Sequence, residues 1–210
     1  MITFSQITDV IERGSNRDYL DFFFVGPEIC MFLVVDDPER SSDSPFTPEI
    51  VSQELEKIFR QNYNNDQCIN LCFERAEEIY RSRSIADPRQ QPDPLTSMPY
   101  SLSVLIISGS RLYMGSKGNS GLFCMDDGVT VYSSLKEEAA IAPPIKVNGN
   151  LSFLLCSHNF YKRMTTDDML QSLSESEDVY DWLIRMEKIS RSRKEQESPF
   201  PYSAIAIMSR

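Results

Sequence analysis

The stretch that decides the fold runs from Leu102 to Tyr132. It reads Ser103-Val104-Leu105-Ile106-Ile107, then Arg111-Leu112-Tyr113-Met114-Gly115, then Gly118-Asn119-Ser120-Gly121-Leu122-Phe123. Short apolar runs rich in β-branched and aromatic residues, separated by glycine-containing turns, are typical of consecutive strands with tight connections. We therefore predict an unbroken run of antiparallel strands across this stretch.

Further strands are predicted on both sides of this run. Asp21 to Val25 and Ile29 to Val35 are separated by Gly26-Pro27-Glu28, a turn of hairpin length. The second of these runs is apolar throughout, so both faces of that strand should be covered. The remaining predicted strands are an early one that includes Ile2 and Phe4, one over Leu151 to Cys156, and a closing one over Tyr202 to Met208.

Two pairs of helices are predicted between the strands. The first pair contains a helix that places Val51, Leu55 and Phe59 on one face, followed by a helix from about Asp66. The second pair contains a short helix capped by Thr165 or Thr166 and a longer helix from Glu177. Blocks of strands separated by helix pairs favour antiparallel sheets with helices outside them. We predict an α+β fold, a four-layer α-β-β-α sandwich formed by residues 1–210 as a single domain.

Composition excludes several classes of function. The chain has 210 residues and a formal net charge of -10, so it should repel nucleic acid. It contains no apolar run long enough for a bilayer and no visible signal peptide, so we expect no membrane partner. Five cysteines without a C-x-x-C pair, together with one histidine, argue against a zinc site. We expect the protein to be cytoplasmic.

The order of these elements and several short motifs resemble the metal-dependent Ser/Thr phosphatases of the PPM, or type 2C, family. In that family a strand and a glycine turn lead to L-Y-x-A-x-x-G-D-S-R. The stretch from Leu112 to Gly121 follows this pattern, but Asn119 stands in the place of the Asp and Gly121 in the place of the Arg. The resemblance implies the sandwich predicted above, with the functional positions converging at one end of it.

The first family motif, R-x-x-N-[EQ]-D, resembles Arg13-Gly14-Ser15-Asn16-Arg17-Asp18. The resemblance implies that Arg13 would contact a substrate phosphate, for which a guanidinium group has matching geometry. Asp18 corresponds to the final carboxylate of the motif. Arg17 departs from the pattern and would place positive charge near a cation site.

The second motif, V-x-D-G-x-G-G, resembles the stretch from Val34 to Arg40. Asp36 would correspond to the Asp that bridges two divalent metals in the family, and Asp37 occupies the place of the following Gly. The downstream glycines are absent. Asp18, Asp36 and Asp37 are therefore vestigial metal-ligand candidates, and hard divalent cations need more oxygen ligands than one bridging Asp.

Two metal-binding carboxylates of the family are replaced near the end of the chain. The stretch Leu154 to Phe160 is similar to L-L-x-[ST]-D-G-[LV], with His158 in the place of the Asp. The stretch Ser198 to Ile207 is similar to D-N-[IA]-T-x-[IV]-x-[IV], with the Asp position falling at Pro201 or Tyr202. We therefore expect no catalytic residues and treat Asn119, His158 and Tyr202 as degenerate positions.

The leading hypothesis is a catalytically inactive, PPM-like pseudophosphatase that acts as a regulatory, protein-binding module without a cofactor. Its partner would be a protein, such as a phosphoprotein or a kinase. One alternative is a divergent, weakly active phosphoserine/phosphothreonine hydrolase that uses Mg or Mn held by Asp18, Asp36 and Asp37. The other is a structural scaffold subunit that reuses the fold. Metal titration separates the first alternative from the rest, and phosphopeptide binding separates the leading hypothesis from the scaffold.

Overall fold

Two antiparallel sheets and five helices make up the described part of the chain in the computed structural model. The structure describes residues 1–9, 18–36, 48–86, 100–126, 129–133, 139–142, 144–146, 150–193 and 202–209. The strands are β1 Ile2–Asp9, β2 Asp18–Gly26, β3 Ile29–Asp36, β4 Ser101–Ser108, β5 Arg111–Lys117, β6 Gly121–Asp126, β7 Val129–Ser133, β8 Ala139–Ile141, β9 Ile145–Lys146, β10 Leu151–Cys156 and β11 Tyr202–Ser209. The helices are α1 Pro48–Asn62, α2 Cys68–Ala86, α3 His158–Tyr161, α4 Thr166–Ser174 and α5 Val179–Ser192.

The two sheets stack face to face. One has the strand order β1-β11-β10-β6-β7, and the other has the order β2-β3-β4-β5-β8, with β9 also paired to β5. All pairings among the described strands are antiparallel. This arrangement confirms the run of antiparallel strands predicted from Leu102 to Tyr132, because β4, β5, β6 and β7 follow one another there.

Three apolar layers hold the sandwich together. The middle layer fills the space between the sheets and includes Phe32, Leu105 and Phe153, which are fully buried. One outer layer packs α1 and α2 against the β3 side, and the other packs α3, α4 and α5 against the β10 side. The predicted four-layer α-β-β-α architecture is therefore confirmed. Burial of this apolar surface is the main favourable term in its stability.

Strand β3 shows why the sequence pattern predicted a covered strand. Its side chains alternate between two layers, so Leu33 lies in the helix-covered layer and Phe32 lies between the sheets. Both faces of the strand are covered from Met31 to Val35, because every residue in that run is fully buried. A strand buried on both faces reads as a continuous apolar run, as this one does.

The helix boundaries differ slightly from the sequence prediction. α2 begins at Cys68, two residues after the predicted start, and α5 begins at Val179 with Asp178 as its N-cap. Thr165 caps α4 as predicted. The four-residue helix α3, which starts at His158, was not predicted, because one turn is too short to show helical periodicity.

All five cysteines are buried and form no disulfide, as expected for small apolar side chains in a core. Within the described residues, none of the helices has the length and apolar character needed to cross a bilayer.

Candidate functional site

The candidate site lies at the end of the sandwich where β2 begins and β3 ends. Asp18 and Asp36 are the first and last residues of these strands and are direct partners across the antiparallel ladder. Asp36 in turn lies opposite Ser101, the first residue of β4. Two carboxyl groups thus meet at the open end of the β2–β3 hairpin, the end away from its turn.

The local environment keeps a proton on Asp18. Burial and the adjacent Asp36 carboxylate raise the pKa of Asp18 to about 8, and hydrogen bonds from Ser157 and Ser203 oppose this shift only in part. Asp18 is 8% exposed, so water screens its charge poorly. At neutral pH, with no cation between the two carboxyl groups, Asp18 therefore holds its proton beside Asp36.

The second sheet contributes hydroxyl groups to this end of the molecule. Ser157, the N-cap of α3, and Ser203 of β11 are fully buried. The Ser203 N–H donates to the Ser157 hydroxyl over 3.1 Å, and the Ser157 N–H donates to the Ser203 carbonyl. The Ser157 hydroxyl and the backbone N–H of Ser203 also reach Asp18, so they connect the two sheets where the site lies.

The opposite wall of the site consists of the turn between β5 and β6 and of helix α3. The Asn119 N–H donates to the Ser101 hydroxyl over 2.8 Å. The Tyr161 hydroxyl donates to the Asn119 carbonyl over 2.8 Å and lies 3.2 Å from His158 Nδ1. The imidazole and the Tyr161 ring meet edge to face, with centroids 5.3 Å apart. These hydrogen bonds connect β4, the β5–β6 turn and α3.

His158 completes the cleft beside Asp36. Burial and Lys162 lower the pKa of the His158 imidazole, while Asp36 acts in the opposite direction. Burial raises the pKa of the Tyr161 hydroxyl to about 12, so this hydroxyl stays protonated near neutral pH and can donate its hydrogen bond. We use the name acidic cleft for the neighbourhood formed by Asp18, Asp36, Asn119, His158 and Tyr161.

The structure brings together several residues that the sequence singled out. Asp18 and Asp36 are ladder partners, His158 lies near enough to Asp36 to be affected by its charge, and the Asn119 carbonyl accepts from Tyr161. The shallow acidic cleft itself stays a prediction. The roles assigned to these residues stay predictions. Arg13, Arg17 and Asp37, together with the alternative position Pro201, lie outside the described residues.

Tyr202 does not lie in the cleft. Its side chain packs in the layer under α3, α4 and α5, where its hydroxyl donates to Glu187 over 2.7 Å and accepts from Arg191 over 2.9 Å. Side chains alternate along a strand, so the residue that β11 directs between the sheets at this end is Ser203. Ser203, rather than Tyr202, is the polar residue of the closing strand beside Asp18.

Sequence reasoning missed three residues of the site, namely Ser157, Ser203 and Tyr161. The two serines could have been found by aligning the Ser/Thr positions within the family motifs that include His158 and Tyr202. Tyr161 carried no such signal, because its role depends on the turn of α3 and on the glycine at position 121.

Among the described residues, the cleft offers the carboxyl groups of Asp18 and Asp36 and the imidazole of His158. Hard divalent cations require several anionic or carbonyl oxygens, so these described residues alone do not fit the two-metal centre that the fold family implies. Within the described ranges, no group of three or more His, Cys, Asp or Glu side chains is placed to hold a metal ion. No chemical step through a metal is therefore derived for this cleft.

The sequence matches no protein-family model and no curated protein. Its structure, by contrast, resembles several solved Ser/Thr phosphatases over the whole chain. The catalytic domain of the phosphatase PstP, solved with two manganese ions, has a TM-score of 0.70 and 12% identity, with 100% of this chain and 99% of that chain covered.

Two further solved structures show the same likeness. PppA, a key regulatory component of the type VI secretion system (T6SS) in Pseudomonas aeruginosa, has a TM-score of 0.67 and 15% identity, with coverage of 98% and 96%. The PPM Ser-Thr phosphatase MsPP from Mycobacterium smegmatis, in complex with cacodylate, has a TM-score of 0.60 and 12% identity, with coverage of 99% and 97%. At these identities the likeness shows the fold, which is that of the PPM Ser/Thr phosphatases.

Proposed function

We propose that this chain is a catalytically inactive, PPM-like pseudophosphatase that acts by binding another protein. The observation that supports this function best is the chemistry of the acidic cleft. Asp18 and Asp36 are the two carboxyl groups that the described strands bring together, and His158 and Ser203 occupy places near them where further anionic oxygens would be needed. Hydrolysis in this fold family depends on metal-activated water, which requires such oxygens.

The partner in this proposal is a protein, with a phosphoprotein or a kinase as the first candidates. The likeness to PppA, a regulatory component in its own system, is consistent with a regulatory role for the fold. The net charge of -10 favours a partner with a basic contact surface over nucleic acid. We further propose that the protein acts in the cytoplasm, without a cofactor.

Turnover of p-nitrophenyl phosphate tests whether the protein is catalytically inactive. We expect no metal-dependent hydrolysis above the buffer control with magnesium or manganese. Manganese-dependent turnover that disappears in Asp36→Ala would instead establish the weakly active phosphatase, which the juxtaposed Asp18 and Asp36 carboxyl groups would favour. Asp66→Ala serves as a matched control, because this Asp lies on the α1–α2 side and contacts Arg111 and Tyr113.

Peptide binding separates the regulatory module from the scaffold. A panel of peptides in phosphorylated and unphosphorylated forms is titrated against the wild-type chain and His158→Ala. We expect peptides that bind the wild type and lose affinity in the variant, because the cleft is then part of the contact. Peptide binding that is unchanged by His158→Ala would favour a scaffold whose cleft has no role.

A further inference from the structure

Strand β2 is the outermost strand of its sheet, and β3 is its one partner strand among the described residues. The N–H of Phe22 donates to Asp21 Oδ1 over 2.9 Å, and the carbonyl of Phe24 accepts from Arg60 over 3.4 Å. In an antiparallel ladder, residues two apart present their backbone groups to the same side. The side of β2 away from β3 therefore carries the backbone groups of Phe22 and Phe24, and these bond to side chains instead of a further strand.

The Asp21 carboxylate is held at this edge by neutral donors. Besides the Phe22 N–H, it accepts from the buried Ser52 hydroxyl of α1 over 2.8 Å and from the Tyr19 hydroxyl over 3.3 Å. Burial and then the charge of Asp21 raise the pKa of the Tyr19 hydroxyl, and the charge of Glu49 adds to this. Because these donors in the described part of the chain are two hydroxyl groups and an N–H, none of them supplies the positive charge that would balance the carboxylate. The α1 side of the β2 edge is therefore acidic.

The other face of the same edge is apolar. The Phe22 ring packs against Phe4 of β1 with centroids 4.5 Å apart, and the Phe24 ring lies 6.0 Å from each of them. Phe24 is 39% exposed, so a further apolar side chain beside it would bury more of its ring. Lysine and proline often protect an edge strand from pairing with another chain, and β2 contains neither.

We propose that the edge of β2 pairs with an extended segment of a protein partner in which apolar residues alternate with lysine or arginine. A carbonyl of the segment replaces Asp21 as the acceptor for the Phe22 N–H, and a basic side chain of the segment pairs with the carboxylate that this exchange releases. The apolar side chains point to the opposite face of the added strand and cover Phe24. A segment without a cation leaves the Asp21 charge unbalanced, so it binds less well.

This inference rests on the proposed function, because it names the kind of protein segment that the regulatory module binds. The net charge of -10 favours a basic segment. Since β2 begins at Asp18, a segment paired with this strand ends beside the acidic cleft.

Fluorescence anisotropy with a labelled peptide that alternates valine and lysine measures the pairing. A second peptide of the same composition, with its valines and lysines in two separate blocks, has the same charge but does not place them on opposite faces of a strand. We expect the alternating peptide to bind the wild-type chain about tenfold or more tightly than the block peptide. Equal affinities, or no binding of the alternating peptide, would overturn the proposal, because attraction by net charge alone does not depend on the order of the residues.

Three variants test the two faces of the edge. Asp21→Asn keeps an acceptor for the Phe22 N–H but lacks the charge, so the alternating peptide should lose about fivefold or more in affinity. Phe24→Lys places a positive charge on the edge and should lose about tenfold or more. Val131→Lys is the matched control, because Val131 is 50% exposed on β7, an edge strand of the other sheet, and its affinity should stay within about twofold of the wild type.

Equal losses in the two lysine variants would show a general effect of charge and would contradict the assignment to β2. Unchanged affinity in Asp21→Asn would contradict the role of its charge. Circular dichroism verifies that each variant is folded, and Phe24→Ser replaces the lysine variant if that one does not fold.

Hydrogen exchange followed by mass spectrometry locates the contact. The bound alternating peptide should slow exchange in Asp18–Gly26 and leave Val129–Ser133 unchanged, because an added strand protects the outward N–H groups of β2. Slower exchange in β7 without a change in β2 would overturn the proposal. Sedimentation of the wild type alone tests the other occupant: a concentration-dependent dimer that Phe24→Lys abolishes would assign the edge to a second copy of this chain instead. None of these measurements uses turnover, a phosphate group or His158, so their failure is distinguishable from failure of the proposed function.

Discussion

Two effects raise the pKa of Asp18, and both act in the same direction. Burial disfavours its charged form, and the neighbouring Asp36 carboxylate disfavours it again. Hydrogen bonds from Ser157 and Ser203 favour the charged form but are the smaller effects. The raised pKa makes the folded state bind a proton that the unfolded chain releases, which links this residue to stability.

The contribution of Asp18 to the stability of the wild type should fall as the pH rises from about 4 to about 8. The pKa of Asp18 is about 8 in the folded chain and 3.8 in the reference state, so between these two pH values the folded state binds more protons than the unfolded state. The stabilisation that comes from the proton on Asp18 is lost above pH 8. Asp18→Asn should remove this slope and stabilise the protein above pH 8 by about 1 to 3 kcal/mol. Urea unfolding at several pH values, in the presence of a chelator, measures both effects.

Asp66→Asn provides a control of opposite sign. The hydrogen bond from Tyr113, followed by the charge of Arg111, lowers the pKa of Asp66, so its loss should reduce rather than increase stability at neutral pH. If Asp18→Asn leaves the pH slope unchanged, the proton on Asp18 is not linked to folding.

Gly118 is required by the turn that carries Asn119. Its φ is 74°, and an added Cβ would lie 2.7 Å from both the Ser101 hydroxyl and the Tyr100 carbonyl. Gly118→Ala should therefore cost about 1 to 3 kcal/mol of unfolding free energy. Gly109→Ala has a similar φ of 59° but open space around it, so it should cost less, and Gly26→Ala should be nearly neutral.

Chemical denaturation of these three variants gives the ranking. Equal losses for Gly118→Ala and Gly109→Ala would indicate that backbone strain alone, without the contact to β4, determines the cost.

At the scale of elements, helices α4 and α5 are joined by one carboxylate. Asp168 accepts from the Thr165 N–H in a capping box and forms a two-pronged ion pair with Arg193, with N–O distances of 2.6 and 2.7 Å. Arg193 and then the capping hydrogen bond from Thr165 lower the pKa of Asp168. The start of one helix is thereby tied to the end of the next.

Thr165→Ala should destabilise the protein by about 1 kcal/mol, because the first turn of α4 loses the hydroxyl that accepts from the Asp168 N–H. Thr165→Ser keeps that acceptor and should lie within about 0.5 kcal/mol of the wild type. The midpoints of urea unfolding compare the two. A loss in the serine variant as large as in the alanine variant would mean that the threonine methyl group, rather than the cap, contributes the stability.

At the scale of the whole molecule, the cleft depends on four elements that are far apart in the chain. β2 and β3 supply the carboxyl groups, α3 supplies His158, and β11 supplies Ser203. A divalent cation would need oxygen ligands from several of these elements at once. Changing one of them therefore does not rebuild a metal centre.

His158→Asp should not create a manganese site of micromolar affinity. The variant adds one carboxylate beside Asp36, but β11 still has the neutral Ser203 beside Asp18, and Asp18 is still buried. Calorimetric titration of the variant and the wild type with manganese measures this. A micromolar site in the single variant would show that the carboxylates already present are sufficient.

The sequence by itself determined the layers of the fold. Apolar runs with turns between them identified the strands, and helical periodicity identified four of the five described helices, because both patterns follow from local backbone geometry. The same reading placed Asp18 and Asp36 at the two ends of a hairpin, and a hairpin of that register makes them neighbours.

Only the tertiary structure decided which side chains share the cleft. Tyr202 and Ser203 are adjacent in sequence but lie on opposite faces of β11, and the motif alone does not show which of the two faces Asp18. The Tyr161 ring packs beside β6 because Gly121, distant in sequence, leaves space for it. Contacts of this kind depend on how two sheets pack, and no local periodicity in the chain encodes them.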